Sequence, residues 1–240
     1  MSITVLELYP ADLSLNGDVG NRTALVRRMR LAGLEVDELS YSPGEELPAA
    51  PDIVLIGTGT SSAVRSIAAD IERIAPTLRA WSEDGVVIVA AGAGFHLLSA
   101  SIRLSPTEVI PGAGVFGGSV DNSSRRIITE AFAIESDFGL LIGTENHTSV
   151  YTARPDQKSL GRVRHGFGNG DGTDGAVVKN SLGTHCHGPF LVLNPTIADH
   201  IIRLAAQRSG VVYTQTPEHS DLDEVIDLAR AILIAKLPAN

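Results

Sequence analysis

The chain has 240 residues, 43% of them hydrophobic and 20% charged, with a formal net charge of −9. That length and apolar content fit one sizeable domain with a well-formed core. The acidic balance argues against nucleic acid and anionic membrane as partners, and no apolar run approaches the roughly 20 residues of a membrane-spanning helix.

The opening MSITVLELYP has neither a basic region nor a cleavage site, so no signal peptide is expected. Residues 2–8 alternate apolar side chains and read as a first strand. Residues 21–32 have helical spacing, and Gly33 stops them. LEVDELS, from Leu34, reads as a second strand. PDIVLIG, 51–57, is a continuous apolar run, as in a parallel strand buried on both faces. Residues 62–80 read as a helix with an interruption at Pro76, and 85–91 as another buried strand. Strand and helix in alternation imply an open, mostly parallel sheet covered on both faces.

From Ser101 the texture changes. Residues 126–163 read as several short strands, and the Gly/Asp/Asn-rich stretch HGFGNGDGTDG, 165–175, as a hairpin connection. Residues 181–187 read as a short strand. Residues 195–207 read as a helix with Asn194 as cap and Pro195 at its first position. The last helix is expected to start at Ser220 with Asp223 completing a capping box, and to end near Lys236. No repeat, linker or boundary divides the chain, so residues 1–240 are read as one domain. The single cysteine, Cys186, allows no intrachain disulfide; with no signal peptide, the cytoplasm is the expected location.

In open parallel sheets ligands sit outside the carboxyl ends of the strands. Three Gly-rich segments, 17–20, 57–59 and 92–94, follow strands and are expected to line one crevice. GTGTSS, 57–62, offers backbone N–H groups for an anion or oxyanion pocket, and also fits a plain tight turn before a helix. It is not a Walker A loop, since no GK[ST] follows. GAGFHL lacks the third glycine of a Rossmann fingerprint. In GTHCHGP, 183–189, strand alternation puts His185 and His187 on one face and Cys186 on the other. Cys186 then reads as a small buried hydrophobe rather than half of a Cys–His dyad. The two histidines would need a third metal ligand, with His96 as the candidate; ordinary hydrogen-bonded histidines are the plainer reading, and no metal or cofactor is expected. ENH, 145–147, sets Glu145 and His147 near the strand-rich region, where polar residues at strand ends commonly satisfy backbone groups.

VVIVAAGAGFHLLSA, 86–100, has the form of a buried strand turning sharply into a helix, a turn that usually presents a nucleophile. Yet residues 90–94 are all Ala or Gly. Taken together, the segments resemble the CobB/CobQ-like class I glutamine amidotransferases, and within them the GatD branch, the amidotransferase subunits of lipid II isoglutaminyl synthase. The family's opening "gD-GN" is matched by Gly17-Asp18-Val19-Gly20-Asn21, PDIVLIGTGTSS resembles its strand and GGG-type oxyanion loop, and VVIVAAGAGFHLL its nucleophile elbow, usually CGGYQ-L. PGAGVFGG (111–118), ENHTSVYT, SLGRVRHGFGN (159–169) and DGAVVKNSLGTHCHGPFLVLNP (174–195) follow in the family's order. The pattern GTY-HGP…NP reads GTHCHGP…NP here and places the family's catalytic histidine at His187.

The resemblance covers nearly the whole chain. It implies a flavodoxin-like class I fold: a twisted, mostly parallel sheet with helices on both faces and short antiparallel strands in the C-terminal half. It also implies glutamine hydrolysis by a Cys thiolate, with His187 moving the proton and Gly57, Thr58, Gly59 and Ala93 around the oxyanion, and ammonia passing to a Mur-ligase-like (MurT-type) synthetase partner. Asp18, Asn21, Glu145, His147 and His185 are further pocket candidates. Alignment of the elbow, however, sets Gly92 at the nucleophile, Ala93 at the next Gly, Phe95 at the Tyr and His96 at the Gln. No Cys, Ser or Thr lies between Val86 and Leu98. Losing a nucleophile can cost about as much as losing the whole catalytic unit.

Three readings follow. The first is a non-hydrolysing amidotransferase homologue that binds or regulates a Mur-ligase-like synthetase in cell-wall precursor amidation. The second is an active subunit that supplies ammonia through an atypical site, with Cys186 as its sulfur. The third is a protein that binds a small ligand or metal between His96, His185 and His187, with Thr58 and Ser61 nearby.

Overall fold

The computed structural model describes residues 2–122 and 125–238. In chain order the first elements are β1 (Ile3–Leu8), α1 (Val19–Leu31), β2 (Val36–Tyr41), β3 (Ile53–Ile56), α2 (Ser61–Glu83), β4 (Val87–Ala91) and α3 (Ala93–Leu97). A strand-rich stretch follows: β5 (Ser101–Ser105), β6 (Glu108–Pro111), β7 (Ser119–Asp121), β8 (Ile127–Ser136), β9 (Gly139–His147), β10 (Val150–Thr152) and β11 (Gly161–His165). The remaining elements are β12 (Thr173–Asp174), β13 (Ala176–Val178), β14 (Ser181–Thr184), α4 (Phe190–Leu193), α5 (Pro195–Arg208) and α6 (Pro217–Ile234).

The central sheet runs β13-β14-β4-β3-β1-β2. Its pairings are parallel except β13 with β14. β3 and β4 are buried at every position, as their unbroken apolar runs require. Side chains alternate faces along each strand and so feed two cores. Leu6, Val54, Ile56 and Ile88 pack with Ile67, Ile71 and Leu78 of α2. Val5, Ile53, Val87 and Val89 pack with Leu25 and Met29 of α1 and Ile201 and Ile202 of α5. β2, at the edge, is exposed along most of its length and carries Asp37 and Glu38, which discourages further pairing. Two smaller sheets, β10-β7-β5-β6 and β12-β11-β8-β9, make up the strand-rich part. Among the described residues no helix is long and apolar enough to cross a membrane.

Several local expectations are corrected. α2 is not interrupted at Pro76: it runs unbroken from Ser61 to Glu83, because Pro76 is exposed while the apolar stripe on the opposite face stays buried. Its start is set by Thr60, whose Oγ1 accepts from the Ala63 amide at 3.1 Å. Residues 126–163 hold two long strands, β8 and β9, joined as an antiparallel hairpin with one register shift between Thr129 and Phe132. The hairpin connection at 165–175 does carry a paired strand, β12 against β11. The strand expected over 181–187 ends at Thr184: the next amide, His185, turns to the Asp174 carboxylate instead of the ladder. α6 starts at Pro217, not Ser220. Its capping box is Thr216 with His219, since Asp223 is drawn away to Arg28. Asn194 does precede α5, but its side chain bonds Ile142 of β9 on both sides rather than capping the helix.

Candidate functional site

The segments that follow the carboxyl ends of β1, β3 and β4 converge on one cavity of about 210 Å³, lined among others by Thr58, Gly92, Ala93, His96 and His147. The segments 57–59 and 92–94 both reach it. The segment 17–20 does not: Gly20 sits against the Pro189 ring, with no room for a Cβ, and this loop meets the cavity only through Leu15 and Asn16 upstream.

The elbow itself is intact. β4 enters Gly92 with the Gly92 amide on the Thr184 carbonyl, and α3 leaves it with the His96 amide on the Gly92 carbonyl. Gly92 has φ +51° and ψ −115°, a backbone state that strains any L residue with a side chain. The space beside it is taken. A Cβ on Gly92 would lie 2.5 Å from Thr58 Oγ1, 2.7 Å from His187 Cε1 and 2.9 Å from His187 Nε2. The Ala93 amide, on the segment where the family resemblance expects an oxyanion pocket, donates to Thr58 Oγ1 at 2.9 Å.

His187 is fully buried. Its Nδ1 lies 3.0 Å from Asp18 Oδ1, and its Nε2 has no partner among the described residues. Asp18 reaches it from the N-terminal end of α1. Beside them lies a second buried polar cluster. His96 Nε2 is 3.2 Å from His185 Nε2, and His185 Nδ1 is 2.9 Å from Asp174 Oδ1. His147 stacks on His185 with ring centroids 4.3 Å apart and reaches Glu145 through Nε2 at 3.2 Å. Ser149 Oγ sits among the three rings, 3.1 Å from His96 Nε2 and 2.9 Å from His147 Nδ1. His96 and His185, each a departure from the family pattern quoted above, therefore meet directly.

Burial governs the charges of this cluster. It pushes His96 and His185 well below the ordinary imidazole range, and neighbouring imidazoles add to the effect. It pushes the Asp174 carboxyl up to about 6, against the opposing bonds from Thr184 and the His185 amide. Burial also raises Glu145, but bonds from His147, Thr129 and the Gly168 and Phe167 amides outweigh it and leave that carboxyl below its usual range.

The other sequence candidates are placed elsewhere. Asn21 is buried and accepts from the Leu191 amide at 2.8 Å, fixing the start of α4 rather than facing the cavity. Cys186 packs in the core with Phe190 and Leu191, and burial drives its thiol well above the ordinary range. No group of residues able to hold a metal occurs among the described residues. Sequence reasoning passed over Ser149 and Asp174. Asp174 lay in the Gly-rich 165–175 stretch, where its type reads as turn chemistry; only the β12 pairing carries it under His185.

A family model for the CobB/CobQ-like glutamine amidotransferase domain matches residues 29–195. The chain is 28% identical over 237 residues to the GatD subunit of lipid II isoglutaminyl synthase (glutamine-hydrolyzing) from Staphylococcus aureus, covering 97% of this chain and 95% of that protein. It is 28% identical over 175 residues to the GatD subunit from Streptococcus pneumoniae, covering 71% of this chain and 67% of that protein. Among solved structures, PurLQS from Thermotoga maritima superposes with a TM-score of 0.59 at 15% identity, over 86% of this chain and 97% of that one. The glutaminase domain of Trypanosoma brucei CTPS with bound acivicin superposes with a TM-score of 0.52 at 11% identity, over 90% and 97%. A glutamine amidotransferase from Thermotoga maritima does so at 0.51 and 15%, over 97% and 94%. At these identities the superpositions speak for the fold alone.

Proposed function

The chain belongs to the CobB/CobQ-like glutamine amidotransferase family and has its class I fold, and from that premise we propose that it is a GatD-like member that does not hydrolyse glutamine. It acts as the non-catalytic partner of a Mur-ligase-like synthetase in cell-wall precursor amidation, in the cytoplasm. The observation that carries this reading is the state of residue 92. The elbow is kept, the nucleophile is replaced by glycine, and Thr58 and His187 stand where its side chain would project. The Ala93 amide, a natural oxyanion donor, is already bonded to Thr58. Two separate requirements of amide hydrolysis, an attacking atom and a free oxyanion donor, are thus both unmet at this elbow.

The partner reading draws on the relatives, both of which are named as subunits of a synthase. The lone, buried Cys186 suits a reducing compartment and offers no alternative thiolate, since burial favours its protonated form.

The test is ammonia release from glutamine by the purified protein, alone and with a Mur-ligase-like protein encoded beside it, with Cys186→Ala as control. The expected result is no release above the blank in any combination, together with co-elution of the two proteins on size exclusion. Release abolished by Cys186→Ala would mean that the nucleophile has moved. Release that survives Cys186→Ala would mean that water or another group attacks. Either result overturns the non-hydrolysing reading, and failure to co-elute overturns the partner reading.

A further inference from the structure

Three carboxylates lie one layer behind the cavity floor: Asp18, Asp174 and Glu145, all buried. Each faces an imidazole, and none is paired with a Lys or Arg among the described residues. Negative charge of this kind focuses a potential that favours a cation in the adjoining space. The tautomers follow from the same bonds. A carboxylate can only accept, so the nitrogen facing it carries the hydrogen. His187 therefore carries a hydrogen on Nδ1, and its Nε2 is the buried, unpartnered nitrogen beside Gly92. His185 likewise has its proton on the Asp174 side, so its Nε2 accepts from His96 Nε2. Neutral His96 then has its lone pair on Nδ1, which makes no hydrogen bond among the described residues, and His96 lines the cavity. Asn146, also in the lining, has a buried Oδ1 without a partner. The unmet groups around this floor are acceptors, and buried acceptors call for a donor.

We infer that the floor of this cavity binds a small N–H donor cation, an ammonium ion or the head of a short primary amine, through His96 and Asn146, with Asp174 behind His96 by way of His185. The departures His96 and His185 combine to make it: the two new histidines add a neutral acceptor that lines the cavity and is backed by a carboxylate. Burial keeps His96 uncharged at neutral pH and so able to accept. Arg126, a cation in the lining, is exposed, where solvent and salt screen it. This inference rests on the non-hydrolysing reading, in which the synthetase draws on ammonium from solution.

The histidine ring signals of the ¹⁵N-labelled protein, titrated at neutral pH, provide the test. Ammonium chloride and methylammonium chloride are each compared with potassium chloride, an ion of similar size with no hydrogen to donate. Saturable shifts of the His96 ring and of the neighbouring His147 ring with ammonium or methylammonium, absent with potassium, are expected; which of the two saturates first assigns the free ion or the amine. His96→Leu and Asn146→Leu should each weaken binding about tenfold or more. No saturable shift, an equal response to potassium, or binding unchanged in both variants overturns the proposal. The wild-type titration decides the matter even where a variant does not fold. Glutaminase assay of the same sample keeps the two readings separate: ammonium binding can fail in a protein that still releases no ammonia, and hydrolysis would overturn the functional reading while leaving the binding result intact.

Discussion

Gly92, Thr58 and His187 form one packing unit, and each constrains the others. Replacing Gly92 by Cys restores the family's residue type but puts its Cβ inside the contact distance of both neighbours, on a backbone state with φ +51°. Gly92→Cys alone is therefore expected to destabilise by about 1–3 kcal/mol, the usual cost of a strained backbone position, and to release no ammonia. Thr58→Gly removes the nearer obstruction and frees the Ala93 amide. The double variant should then be less destabilised than the sum of the singles, with a coupling of roughly 0.5 kcal/mol or more. Urea unfolding of all four proteins measures it, and strictly additive costs would mean that Thr58 does not occupy the side-chain space. At this scale the absence of a nucleophile was legible from residues 86–98, because it is a matter of residue type. The filling of its place was not. Thr58 reads as a drifted loop residue, and only the approach of β3 to β4 brings its hydroxyl onto the Ala93 amide.

Elements were legible where a local period carries them and less so where a long-range partner intervenes. β3 and β4 match their apolar runs because a strand buried on both faces needs nothing from distant residues. α6 was misplaced by three residues at its start: Ser220 and Asp223 have the right types for a box, but Asp223 is claimed by Arg28. Arg28 is itself an interior residue, 1% exposed. Its Nε bonds Asp199 of α5 at 2.6 Å and its Nη1 bonds Asp223 of α6 at 2.6 Å, so one guanidinium ties three helices. Arg28→Ala leaves Asp199 buried without its cation and is expected to cost about 3–5 kcal/mol. Hydrogen exchange should show α6 as the first element to lose protection. A loss below about 1 kcal/mol, or α6 amides as slow as before, would show that Arg28 does not hold these helices together.

The molecule as a whole should be acid-sensitive, and the sign can be worked out from the buried cluster. His96 and His185 have depressed values in the fold, so the unfolded chain binds their protons first as the pH falls below the ordinary imidazole range. Stability is therefore fully present above that range and declines as the pH falls through it. Glu145, also depressed, adds to the loss at lower pH. Asp174 opposes them: its value of about 6 means that the fold holds a proton the unfolded chain has released, so its contribution grows as the pH drops from about 6 toward 4. Two imidazoles against one carboxyl leave a net fall in the melting temperature between neutral pH and about 5. His96→Leu should flatten that fall. A melting temperature that stays level or rises on acidification would contradict the neutral state of the histidines.

The sequence by itself determined the architecture and the absence of Cys, Ser or Thr from the strand-to-helix turn at residues 90–94. Apolar runs and helical spacing encode backbone periods, and a residue type at an aligned position needs no coordinates to be read. The tertiary structure alone decided what fills the site. β14 stops at Thr184 because the His185 amide turns to Asp174, and His96 meets His185 across 89 residues of chain. Those contacts depend on how the strand-rich half packs over the parallel sheet. No local pattern records that packing, because side chains far apart in sequence meet only once both halves are folded.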